Sequence, residues 1–282
     1  MNQRNSLTGI SLFFNLKIGG LIYICNLIST MQNSPKLRML SFLLGSFFLG
    51  SCSSTYQVVK SNRGEYKVSE EASVDSAIIR TYQPYKLKLD SQMNEVLGYS
   101  EHELTKKMVN GESSLGNFLA DASLFEARKT IPQIDFTMPS GNGGLRNDLP
   151  SGAITLSNIF QLMPFENELI VFELKGSDVQ TLLDYIARTG GQPIGGLTMK
   201  IKEKKPADVL VGGKPFDPLK NYSVLTSDYI AGGADGISSF KNPVSSKVLG
   251  LKIRDALIQY IKETKNKGVK ISSKLDGRMT ND

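Results

Sequence analysis

The chain has 282 residues, 33 Lys and Arg against 27 Asp and Glu for a net charge of +6, a single His and two Cys. One histidine excludes a His-rich metal centre, and two cysteines exclude a thiolate zinc site or a disulfide scaffold. Arg4, Lys17, Lys36 and Arg38 precede residue 52 and no acidic residue does, so without them 29 basic side chains face 27 acidic ones, which is no footprint for nucleic acid.

In chain order, residues 31–52 have the layout of a bacterial export signal. Lys36 and Arg38 precede the apolar run LSFLLGSFFL (40–49), which is too short to span a bilayer comfortably. It closes in LGSC (49–52), which resembles the lipobox of bacterial lipoproteins and makes Cys52 the lipidated new N-terminus. A signal begins near the start of a chain, so Met31 reads as the initiator and residues 1–30 as a mis-assigned extension. The competing reading makes GISLFFNLKIGGLIYICNLI (9–28) a membrane helix, where Lys17 near its middle costs about 3 kcal/mol. Acyl chains on Cys52 would hold the protein at a membrane surface facing the periplasm, and Ser53 lacks the acidic inner-membrane retention signal, which points to the outer membrane.

Residues 52–70 read as a polar tether and residues 71–111 as an extension of the domain that follows at 112–282. The extension has helical spacing interrupted by Pro84, then a short strand at EVLGYS (95–100). Leu115, Phe118, Leu119 and Ala122 fall at i, i+3, i+4, i+7, an amphipathic helix with Ser113 or Ser114 as N-cap. QIDFTMP (133–139) reads as a strand running into the glycine loop SGNGGLR (140–146), and ELIVFELKG (168–176) as one buried on both faces. A helical stripe through Val179, Leu182, Leu183, Ile186 and Ala187 stops at Gly190 and Gly191. Strands are expected at GLTMKIK (196–202) and DVLVGG (208–213), then NYSVLTSDYI (221–230), a second glycine loop AGGADG (231–236), and a last helix through Ile253, Ala256, Leu257, Tyr260 and Ile261. Helices and strands alternate without repeat, so the fold class is α+β: a single domain with a mixed β-sheet packed by helices.

His102 lies in a charged stretch that reads as solvent-exposed, and no other imidazole or free thiol offers itself as a catalytic base. No tight carboxylate cluster for a dinuclear metal site is visible, so no catalytic or metal residue is assigned. Binding residues are better supplied. The glycines of SGNGGLR permit close backbone approach, and Arg146 is a planar donor suited to paired oxygens, although a Gly-rich loop alone is also an ordinary turn. Phe165 and Asn167 in PFEN (164–167) share one side of an extended segment, although Phe165 taken alone reads first as core. Tyr229 and Asp235 add an aromatic and a carboxylate around the second glycine loop. Together these are the groups a nucleotide needs.

ESSLGNFLADA, SGNGGLRNDLPSGAITLSNIFQLMPFEN, ELKGSDVQTLLDY and NYSVLTSDYIAGGADG, in this order and spacing, resemble the C-terminal domain of the 5'-nucleotidase family over about residues 112–240. The resemblance implies an α+β domain that is the substrate-specificity half of a two-domain nucleotide phosphomonoester hydrolase. It implies that Arg146, with Asn142, Gly143 and Gly144 of its loop, meets phosphate or nearby oxygens. Phe165 and Tyr229 would sandwich the base, Asn167 touch its edge, and Asp235 hold the ribose hydroxyls. The family's metallophosphatase domain has no counterpart here. The resemblance therefore implies no cofactor in this chain, two divalent metals in a partner metallophosphatase chain, and inactivity of this chain alone. Two departures weaken the phosphate side: Lys106 and Lys107 stand near the usual arginines but not at their spacing, and Gly141 stands where the loop usually begins with Asn. Two other readings stay open, a non-catalytic nucleoside-binding lipoprotein and a structural lipoprotein with a vestigial site.

Overall fold

Residues 63–65 and 75–281 are described by the structure, a computed structural model. The extension at 1–30, the export signal, Cys52 and most of the tether lie outside them.

Helix α1 (Ser76–Met93) is capped by Asp75, whose carboxylate accepts from the Ala77 and Ile78 amides. It runs through Pro84 where the sequence suggested a break. The proline removes one N–H and leaves the Arg80 carbonyl without its helical donor, at a low cost because no residue of α1 is buried and solvent can reach it. Strand β1 (Val96–Ser100) follows, then α2 (Ser114–Arg128). Its N-cap is Ser113, whose Oγ accepts from the Gly116 amide at 3.0 Å; Ser114 Oγ instead accepts from the Thr105 amide at 2.9 Å. Leu115, Phe118, Leu119 and Ala122 are buried as their spacing requires.

The strand expected at 133–139 shrinks to β2 (Phe136–Thr137), although the Asp135 and Met138 amides extend its bonding to Ser223 and Leu225. After it come β3 (Gly152–Thr155), α3 (Leu156–Leu162), β4 (Glu168–Lys175) and α4 (Gly176–Arg188). Then follow β5 (Leu197–Lys202), β6 (Lys205–Val211), β7 (Lys214–Pro215) and β8 (Asn221–Ser227). The chain closes with α5 (Asp228–Ala231), β9 (Ser245–Lys252), α6 (Ile253–Asn266) and β10 (Met279–Asn281).

Two four-stranded sheets, in the orders β2-β8-β4-β9 and β10-β5-β6-β7, are each mixed, and β1 pairs with β3 in a third. The architecture is α+β with mixed sheets packed by helices, as the alternation of elements implied. β4 is interior to its sheet, and its side chains alternate between two cores. Leu169 and Val171 join Leu225 in the cluster that α2 and α6 cover, while Phe172 and Leu174 join Val224 in the cluster that α4 covers. Burial on both faces explains the weak alternation of its sequence. Each fully buried Leu or Ile adds about 1.5–3 kcal/mol of transfer free energy.

This topology sets the position of three loops. β2 runs parallel to β8, and β4 runs antiparallel to β8. The segment after β2, the segment after β8 and the segment before β4 therefore leave the sheet at one edge. These are SGNGGLR, DYIAGGADG and PFEN.

Candidate functional site

The contacts among these loops close a ring. Arg146 stands with its guanidinium carbon 5.3 Å from the centroid of the Phe165 ring, and its Nη1 donates to the Gly143 carbonyl at 3.3 Å. Two residues along from that ring, Asn167 Nδ2 donates to Asp228 Oδ1 at 3.1 Å. The same oxygen accepts from the Glu168 amide at 3.2 Å and the Tyr229 amide at 2.7 Å. Asp228 thus ties PFEN to the segment that carries Tyr229. That segment turns through Gly233, at φ 90°, to Asp235, at φ 57°. The carboxylate of Asp235 returns to the first loop: a Cβ on Gly141 would lie 3.2 Å from its Oδ2.

Phe165 and Tyr229 are 38% and 56% exposed. The core position that Phe165 alone suggested is therefore not the one it takes. Asn142 of the glycine loop is held from below. Its amide donates to Gln192 Oε1 at 2.9 Å and its Nδ2 to the Gly191 carbonyl at 2.9 Å, while its Oδ1 is buried with no partner among the described residues. Gly143 is exposed and free of crowding, and Gly144 ends a single 3₁₀ turn (Asn142–Gly144). Lys106 donates from Nζ to the Arg146 carbonyl at 2.7 Å, which puts a second cation at the end of this loop.

All eight sequence-chosen positions fall on this face, and it holds four more that the sequence did not single out. Asp228 and Gln192 are the polar ties already described. Tyr185 on α4 feels both Asp235 and Tyr229. Burial first, and then the Asp235 carboxylate, hold its phenol above the ordinary range, with the Arg188 charge opposing. Arg188 itself lies 5.8 Å from the Tyr185 ring centroid. The signal for Gln192 was its place directly after the Gly190-Gly191 helix stop, and for Tyr185 and Arg188 their place on the last turn of that helix.

His102 is half-buried rather than exposed, with Nε2 2.8 Å from the Ser273 carbonyl, so it serves as a tie to the C-terminal segment. Among the described residues no group of three or more His, Cys, Asp or Glu is arranged to hold a metal ion. A dinuclear metal centre does not fit the described residues. Among them, too, no helix is long and apolar enough to cross a membrane. A cleft of about 550 Å³ beside Phe125, Arg128, Lys129 and Tyr260 lies apart from the ring and shares none of its residues.

Glu166, beside Phe165, is clamped by Lys252 and Arg254, which arrive from the end of β9 and the start of α6. Hydrogen bonds from Lys252, then Arg254, hold its carboxyl at about 2, well below the usual range. A depressed carboxyl contributes stability above the ordinary value near 4.5 and loses it as pH falls through about 2. Wild type should therefore lose more melting temperature than Glu166→Gln between about pH 6 and about pH 3. The difference is expected to be small because the carboxylate is exposed, and equal losses in the two proteins would show that the clamp adds nothing to stability.

Residues 96–242 match the family model of the 5'-nucleotidase C-terminal domain. The chain belongs to that family. It is 28% identical to the cell wall protein Lmo0130 of Listeria monocytogenes over 68% of its length, covering 28% of that protein. It is 27% identical to protein UshA of Yersinia enterocolitica over 69% of its length, covering 36% of that protein. To the trifunctional nucleotide phosphoesterase protein YfkN of Bacillus subtilis it is 26% identical over 79% of its length, covering 16%. Among solved structures, the 5'-nucleotidase precursor of Thermus thermophilus superposes with a TM-score of 0.62 at 24% identity, over 73% of this chain and 42% of that one. The likeness covers the fold of one part of that structure, and this chain spans under half of each relative.

Proposed function

We propose that this 5'-nucleotidase C-terminal domain is a lipid-anchored, periplasm-facing unit that recognises a nucleotide, serving as the specificity half of a phosphomonoester hydrolase whose metallophosphatase half is another chain. The observation that carries the reading is the closed ring of contacts that joins SGNGGLR, PFEN and DYIAGGADG at one sheet edge. In it Phe165 and Tyr229 are exposed aromatic rings available to a base, and Asn167 is oriented by Asp228, which also bonds the Tyr229 amide. Asp235 is the acceptor for a ribose diol, held beside the bare backbone of Gly141. Arg146 is the donor for phosphate oxygens, with the Lys106 ammonium beside it on the Arg146 carbonyl. Asn142, bonded from its amide to Gln192 and from its side chain to Gly191, fixes the backbone of the glycine loop beside Arg146.

Catalysis is left to the partner, which would hold the metals. This chain binds and orients. The name of one relative, a nucleotide phosphoesterase protein, supports the substrate class. Anchoring rests on the LGSC motif at Cys52.

Calorimetric titration of the purified chain with adenosine monophosphate, adenosine and inorganic phosphate tests the binding half. Tighter binding of the monophosphate than of adenosine is expected, because Arg146 adds a charge-assisted contact worth about 1.5–3 kcal/mol. Equal affinities would favour the nucleoside-binding lipoprotein, and no binding of any of the three would overturn recognition altogether. Loss of acyl labelling in Cys52→Ser tests the anchor separately.

A further inference from the structure

We propose that helix α1 is the docking element for the metallophosphatase chain, an inference that rests on the reading of this domain as a specificity half. Ile78, Tyr82, Tyr85 and Leu89 recur at i, i+4, i+7, i+11 and form a single stripe along the helix. They are 62%, 45%, 76% and 50% exposed, and Leu87, on a different side, is 62% exposed. None of the 18 residues of α1 is buried. An isolated helix of this length is marginal in water, and an interior proline costs about 3 kcal/mol more. A helix that its own fold hardly covers, yet which carries five large apolar or aromatic side chains in solvent, is a surface whose cover lies elsewhere.

Two observations identify that cover. The first is place. α1 ends at Met93 and the family match begins at residue 96, so the helix stands at the N-terminal margin of a domain that is C-terminal in its family. This chain spans 36% of UshA and 42% of the Thermus protein, and the remainder of a relative belongs on that margin. The second is shape. A membrane surface takes one face of an amphipathic helix and leaves the other in water. Leu87 stands away from the main stripe, so a flat surface that covered Tyr85 would leave it exposed, whereas a protein groove covers both. Arg80 and Lys88, with Lys86 held by Asp90 at 2.7 Å, give the helix a basic rim. The matching groove is apolar with acidic edges.

The test places the photo-cross-linker p-benzoylphenylalanine at Tyr85, at Leu87 or, as a remote control, at Leu219, which is 93% exposed. The tagged full-length chain is expressed and irradiated in its native cells, and adducts are identified by mass. Adducts with a metallophosphatase from Tyr85 and Leu87, but not from Leu219, are expected. In parallel, the triple variant Ile78→Ser/Tyr85→Ser/Leu87→Ser should co-purify about tenfold less metal-dependent hydrolysis of adenosine monophosphate, with nucleotide affinity unchanged. Adducts with lipid alone, with a second copy of this chain, or with the metallophosphatase from Leu219 alone would each overturn the docking site. If wild type co-purifies the hydrolysis yet α1 makes no adduct, docking fails and the partner survives. If wild type co-purifies none, the partner itself is lost.

Discussion

Tyr229→Ala and Phe165→Ala should each weaken binding of adenosine monophosphate by about 1–3 kcal/mol, the usual contribution of a base stacked on an aromatic ring. Both rings stand at the surface, 56% and 38% exposed, and neither belongs to a core cluster. Folding stability should therefore change by no more than about 0.5 kcal/mol in Tyr229→Ala. Phe165→Ala carries a second effect because the Arg146 guanidinium lies over its ring at 5.3 Å. A cation held over an aromatic face gains about 0.5–1 kcal/mol at an exposed site, and the ring also fixes where the charge points. Combining Phe165→Ala with Arg146→Ala should then cost less affinity than the sum of the two, and a double-mutant cycle measures the difference. Tyr229→Phe keeps the ring face and should bind as wild type does. Titration calorimetry beside chemical denaturation reads all of these. Affinity unchanged in both alanine variants would sink the site, and so would affinity lost only in proportion to stability.

Much of this face was legible in the sequence, because glycines, aromatics and isolated charges in loops have few structural duties to hide behind. Arg146, Tyr229 and Asp235 were singled out by chemistry that a core does not need, whereas Phe165 read alone pointed to the core and gained its place only in combination with them. Their ties were harder to read. Asp228 looks like any first-turn acid of a helix, and its three acceptor contacts come from residues 167, 168 and 229, which only the β4–β8 pairing brings together. Long helices were legible from their stripes, and α4 ends where its glycines said it would. Short or edge elements were not. β10 is three residues long, and β9 is an edge strand whose residues are mostly exposed, so neither shows a hydrophobic period. β3 and α3 were passed over although Thr155 and Asn158 form a reciprocal cap there, since a cap without a long stripe after it is a weak signal. Pro84 misled in the opposite sense: a proline breaks a buried helix more reliably than one whose open carbonyl water can reach.

The largest loss of stability is expected from Gly191→Ala. Gly191 has φ 117°, a conformation that L side chains rarely adopt, and a Cβ there would stand 2.0 Å from the Gly111 carbonyl oxygen and 2.6 Å from its carbon. Those are backbone atoms of a tight turn. Asn110 and Gly111 have φ 51° and 95°, and Val109 and Glu112 bond across them in both directions. No rotamer change relieves the clash, so the two turns must part. The expected cost is about 3–5 kcal/mol, a large share of the stability of an ordinary domain. Gly190→Ala is the control. Gly190 also has positive φ, 77°, but nothing lies within 4 Å of a Cβ there, so about 1–2 kcal/mol of backbone strain is its whole cost. The functional consequence follows from what Gly191 touches on its other side. Its carbonyl accepts from Asn142 Nδ2 and the next residue, Gln192, accepts from the Asn142 amide, each at 2.9 Å. Moving this turn loosens the floor under SGNGGLR. Folded Gly191→Ala, measured well below its melting temperature, should bind adenosine monophosphate more weakly than folded Gly190→Ala. Denaturation curves that superpose for the two variants would show that the close approach to Gly111 does not constrain the fold. Equal affinities in the folded variants would separate the glycine loop from the turn beneath it.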